Sequence, residues 1–182
     1  MEKSVLVKDW QVFYDDVFGI KVDFSDLVIP EKRVDFDRLV IVVQELRLQR
    51  FYDKCEALFP CYKWTDDNLD LVVKSERISA NGLYAVWIRD RVEADEELKN
   101  LSTYDLIQQK VAGITLEERL VYELKYFKET GKHLDVRNVT LCTGSVAAGG
   151  IVFVGFYNGK MRVRCCYIHN HNNDLRSRQV IY

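Results

Sequence analysis

The sequence predicts an α+β protein, and three observations carry that prediction. A capped helical stretch begins at Thr115, β-branched and aromatic runs of strand length lie on both sides of it, and Asn158-Gly159 joins two alternating segments near the end. Asn-Gly between such segments is the strongest short-range signal for a type I′ β-hairpin. Helix and hairpin periodicities in one short chain point to a mixed architecture.

Taken in order, the first thirty residues carry the apolar clusters Val5-Leu6-Val7 and Trp10-Gln11-Val12-Phe13-Tyr14, which should pack against the main body. Arg38-Leu39-Val40-Ile41-Val42-Val43 is a β-branched run and reads as a strand. A helix is expected over about residues 48–58, stopped by Pro60. Asp66-Asp67-Asn68 marks a loop, and Asn81-Gly82 precedes a buried strand at Leu83-Tyr84-Ala85-Val86-Trp87-Ile88. Glu93-Ala94-Asp95-Glu96-Glu97-Leu98 reads as the solvated acidic first turn of a short helix ending near Leu101.

The clearest helix follows Thr115. Thr115 and Glu118 have the spacing of a capping box, in which hydroxyl and carboxylate satisfy two orphan N–H groups. Leu116, Leu120, Leu124 and Phe127 recur at helical spacing, and Gly131 supplies the left-handed C-cap. Beyond it come a strand at Asn138-Val139-Thr140-Leu141-Cys142 and a small-residue loop over residues 144–150. A two-residue turn at Asn158-Gly159 pairs Tyr157 with Lys160 and sets both faces of the hairpin. One face carries Val152, Val154, Phe156, Met161, Val163 and Cys165, which suits a core. The other carries Ile151, Phe153, Gly155, Tyr157, Lys160, Arg162, Arg164 and Cys166, which suits a contact surface. At the end, residues 174–181 alternate, and an inward arginine there should pair with Asp90, Glu93 or Asp95.

Composition narrows the function. At 182 residues the chain suits one domain, and 48% hydrophobic content is enough to build its core. With 26 basic against 28 acidic residues it has no electrostatic footprint for nucleic acid. No apolar stretch approaches the roughly 18 residues that span a bilayer. The N-terminal residues lack an apolar signal core, so a cytoplasmic chain is expected, with display at a surface left open. Cys55, Cys61, Cys142, Cys165 and Cys166 form no CxxC pair and are expected to be reduced.

No motif marks a catalytic or metal centre. His169 and His171 share one face of an extended segment but lack a third ligand, so a polar loop is the simpler reading. Cys142 with His133 lacks an orienting third group. The glycine-rich residues 144–150 lack the Lys-Ser/Thr ending of a phosphate loop. No cofactor and no metal are expected.

Three stretches together carry a family resemblance: VWIRDRVEADEELKNLS over residues 86–102, GITLEERLVYELKYFKETGKHLDVRNVTLCTGS over 113–145, and DLRSRQV over 174–180. They resemble the variable proteins of diversity-generating retroelements, and the likeness runs from about Phe36 to the end. The resemblance implies a C-type-lectin-like fold, with two main helices, twisted antiparallel sheets and a C-terminal variable hairpin. It implies one domain over residues 1–182, of which 1–35 are the least distinctive and 145–173 form the variable region. It further implies a non-enzymatic, ligand-binding product whose surface is rewritten by adenine-directed mutagenesis, with protein or another macromolecule as the ligand.

Changes at adenines of AAY codons never yield Trp, Met, Lys, Glu or Gln, and the segment 145–173 contains only Lys160 and Met161 from that set. Carried over position by position, the diversified residues would be Val146, Ala147, Gly149, Ile151, Val154, Phe156, Asn158, Arg162, Arg164, Cys166, Tyr167, His169 and His171. For Val154 and Phe156 this conflicts with the strand alternation, unless a bulge near Phe153 reverses the phase. The chain departs from the family pattern at Phe153, where a proline is usual, and at Cys165, where an aromatic is usual. The Glu-Pro-Asn signature of calcium-dependent sugar binding is missing. The alternative is a thiol-dependent enzyme, since formylglycine-generating enzymes share that fold. No paired active-site cysteines can be recognised for it.

Overall fold

Helix α5, Leu116–Thr130, begins at the capping box read from the sequence: Glu118 N–H donates to Thr115 Oγ1 at 3.2 Å and Thr115 N–H donates to Glu118 Oε2 at 2.8 Å. It ends on Gly131 in the left-handed conformation. The computed structural model describes residues 3–182. Before α5, the order is α1 (Lys3–Phe18), β1 (Arg38–Val42), α2 (Leu48–Leu58), β2 (Cys61–Lys63), α3 (Leu69–Val72), β3 (Val73–Ser75), β4 (Tyr84–Ile88) and α4 (Thr103–Gln108). After it come β5 (Val139–Ala147), β6 (Gly150–Tyr157), β7 (Lys160–Cys166) and β8 (Leu175–Ser177). The architecture is mixed α+β.

Two sheets hold the strands. Antiparallel β1 and β4 form one, in register from Arg38 opposite Ile88 to Val42 opposite Tyr84. The other runs β2-β7-β6-β5, and the far edge of β5 is shared by β8 and β3. A register shift between Leu141 and Val146 breaks the β5–β6 ladder, and such irregularities bend and twist the strand. The β6–β7 ladder has no such break, from Ile151 opposite Cys166 to Tyr157 opposite Lys160.

One apolar cluster runs through α1, β1, α2, β4, α5 and the inner residues of β6 and β7. Trp10, Phe13 and Tyr14 fix α1 to it, and the Tyr14 hydroxyl donates to Ile41 O at 2.6 Å. Among the described residues, no helix is long and apolar enough to cross a membrane.

Helix α5 is buried on every side over its first ten residues, charged ones included. Such charges are tolerated only when paired. Arg119 donates from Nη1 to Glu123 at 2.7 Å and from Nε to Asp135 at 2.9 Å. Arg178 donates from Nη2 to the other oxygen of Asp135 at 2.7 Å, and also to the carbonyls of Arg91 and Val92.

Several expectations are corrected. The inward arginine of the last segment pairs with Asp135, whereas Asp95 is taken by Arg89. Residues 93–101 hold a 3-10 turn at Glu96–Leu98 in place of a short α-helix, and Asp95 there is buried. The loop expected over 144–150 is mostly strand, because β5 continues to Ala147 and only Ala148-Gly149 turn the chain into β6.

Candidate ligand-binding surface

The β6–β7 hairpin is turned by Asn158 and Gly159, both left-handed with φ of 52° and 71°, the type I′ geometry. That turn fixes which side chains face the core. Val152, Val154, Met161 and Val163 are wholly buried against the main cluster. Phe156, on the same face, is half-buried and stacks on the His133 ring with centroids 3.6 Å apart. His133 in turn places Nδ1 2.9 Å from Glu123 Oε1.

The opposite face of the hairpin is aromatic and basic. Phe153 lies opposite Arg164, and Gly155 opposite Arg162. The Arg162 guanidinium sits 4.8 Å from the Tyr157 ring and 5.9 Å from that of Tyr62, which parallel pairing of β2 places beside it. Each such cation–π contact contributes about 0.5–1 kcal/mol at an exposed site. Part of this face is covered: Ile151 is buried in a small cluster with Leu141 and Leu175, and Phe153 and Cys166 pack half-buried against it.

The β5–β6 turn and the segment after β7 meet at one end of the hairpin. A Cβ at Gly149 would lie 3.3 Å from Cys165 Cβ, and one at Gly150 only 2.2 Å from Cys166 O. The segment after β7 is held by α4: Tyr104 N–H donates to Ile168 O at 3.1 Å, and the rings of Tyr104 and His169 approach to 5.0 Å. His171 Nδ1 lies 3.1 Å from Asn100 O, to which it donates.

The predicted positions therefore separate into groups. Val146, Ala147, Gly149, Cys166, Tyr167, His169 and His171 gather at that end, all but Ala147 and Cys166 exposed, with Tyr167 79% accessible. Arg164 is exposed and Arg162 half-buried on the hairpin's outer face. Asn158 is at the other end, about 23 Å away at 3.3 Å per residue. Val154 and Ile151 are buried and present nothing to a ligand. The reconciling bulge near Phe153 does not exist between β6 and β7; the unbroken register keeps Val154 inward, and Phe156 points to the core through His133.

Sequence reasoning missed Tyr62 and Tyr104, which join the surface from β2 and α4. Tyr104 is 45% exposed. Nothing local in the chain marks Tyr62 or Tyr104, since Tyr62 reaches β7 and Tyr104 reaches the segment after it across dozens of residues.

The thiols are poorly placed for chemistry. Burial pushes Cys165 up to about 11 and Cys61 to about 12, and also raises Cys55, Cys142 and Cys166. A nucleophilic cysteine needs the opposite shift. His171 Nδ1 lies 3.6 Å from Asp105 Oδ2, and among the described residues no group of three or more His, Cys, Asp or Glu is placed to hold a metal. Comparison with family models, with curated proteins and with solved structures gave no match.

Proposed function

We propose that the chain is a ligand-binding protein of the diversity-generating-retroelement type, a lectin-like scaffold whose variable surface recognises protein or another macromolecule. One observation carries this reading. The hairpin divides into an inner face fixed by burial and an outer face of Phe153, Tyr157, Arg162 and Arg164, flanked by Tyr62 of β2 and continuous in chain with Tyr167. Aromatic and arginine side chains dominate interface energies, because they bury large areas at low entropic cost. A rigid ladder beneath them allows the outer residues to change without loss of the fold.

The working surface on this reading is Val146, Ala147, Gly149, Arg162, Arg164, Cys166, Tyr167, His169 and His171, with Asn158 apart from it. Buried Ile151 and Val154, and core-packed Phe156, act as framework. The raised thiols favour binding over a thiol-dependent reaction. The test is the gene's neighbourhood. A reverse transcriptase gene and a near-copy of the segment encoding residues 145–173, differing at adenines, are expected; finding neither would remove the retroelement origin.

A further inference from the structure

The geometry points to a second binding site, for a small organic ammonium ion with a flat apolar body, in the cavity between the irregular segment before β1 and the N-terminal end of β4. The cavity measures about 540 Å³ and shares no lining residue with the hairpin surface. That volume is within the usual range for small-molecule sites, roughly 300–1,000 Å³. The segment forming one wall is pinned in place: Val22 and Phe24 are buried, and Trp87 Nε1–H donates to Pro30 O at 3.0 Å. Val28, Pro30, Leu83, Tyr84 and Tyr182 supply apolar surface.

Charge selects the ligand. Three carboxylates line the cavity, Asp26, Glu31 and Glu76, against the single guanidinium of Arg77. Arg77 is already engaged, donating from Nε to Glu118 Oε1 at 2.7 Å and from Nη2 to Gly113 O at 2.7 Å. Its planar head covers the Tyr182 ring at 4.4 Å. Glu76 has only a 3.5 Å contact with Arg77, and Asp26 and Glu31 pair with no cation among the described residues. The cavity thus offers apolar walls with surplus negative charge at an exposed rim, the complement of an aryl- or alkylammonium. Anions are repelled, and a neutral molecule of the same shape gains only the apolar contact.

The test is a titration of the ¹⁵N-labelled protein with phenethylammonium, followed by amide shifts, with 2-phenylethanol as the neutral isostere. Saturable shifts are expected at Val28, Glu31 and residues 81–85 and not in the hairpin. The alcohol should bind about fivefold more weakly, a factor that added salt reduces. An Asp26→Asn, Glu31→Gln double variant should lower the ammonium's affinity to that of the alcohol and leave the alcohol's unchanged. Equal affinities for the two probes in the unaltered protein, shifts centred on the hairpin, or no saturable shift would overturn the assignment.

Discussion

Phe156 and His133 lie ring on ring, 3.6 Å between centroids and 7° from parallel, on the inward face of the hairpin. His133 is further wedged against Phe127 and Phe59. Replacing Phe156 with alanine removes the stack and part of the apolar contact, for an expected loss of about 2–3 kcal/mol. Urea denaturation reads this directly. A loss below about 0.5 kcal/mol would mean that Phe156 belongs to the displayed surface after all.

Two adjacent glycines should respond to very different extents. Gly150 has φ of 114° and no room for a Cβ beside Cys166 O, so Gly150→Ala should cost about 2 kcal/mol or more. Gly149 is exposed and its Cβ would press only on the Cys165 side chain, so Gly149→Ala should cost less than about 1 kcal/mol. Thermal melts of the pair give the comparison, and equal losses would contradict the turn geometry.

Asp135 holds two buried arginines at once, one on each carboxylate oxygen, and accepts from Thr140 Oγ1 as well. Asp135→Ala would leave Arg119 and Arg178 short of their shared counter-charge. Breaking a buried pair in this way costs about 3–5 kcal/mol. Chemical denaturation checks it, and a change within about 1 kcal/mol would show that the network contributes little.

The helix, its caps and the hairpin were legible because each is specified locally. Thr115, Glu118 and Gly131 carry their own geometry, and Asn158-Gly159 sets the register of everything beside it. The three-residue strands β2, β3 and β8 were not legible, because each exists only by pairing with a distant partner. The same reason hid the partner of Arg178: Asp135 is in a left-handed turn 43 positions away. Of the candidate surface, alternation gave the inward residues of the hairpin, but it left buried Ile151 on the contact face. Position-by-position carry-over misjudged Ile151 and Val154, since only the register and the packing beneath it decide burial.

Glu117 should make stability depend on pH. Among the described residues no cation pairs with it; it is buried, accepting from Ser79 N–H at 2.9 Å, and burial raises its pKa above the usual 4.5. Ser79 Oγ lies 2.8 Å from Leu46 O and 2.7 Å from Glu117 Oε1, yet a hydroxyl has one proton to give. A protonated Glu117 donating to Ser79 satisfies both contacts, and neighbouring Glu118 and Asp70 further favour the neutral acid. The folded state therefore holds this proton more tightly than the unfolded chain. Its stabilisation is complete below about pH 4.5 and is lost as pH rises through the elevated pKa. Glu117→Gln keeps the neutral pattern, so its stability relative to the unaltered protein should improve from pH 5 to pH 9 in urea titrations. A constant difference would show that Glu117 is ionised throughout.

The hairpin's outer face should be free to vary while its inner face is not. Two libraries test it most directly, one randomising Arg162, Arg164, Tyr167, His169 and His171, the other Val152, Val154, Met161 and Val163. Each is displayed, scored for folded protein and selected on unrelated protein targets. Most members of the first library are expected to fold and to yield binders, while most members of the second fail to fold. Equal folding losses in both libraries would contradict it.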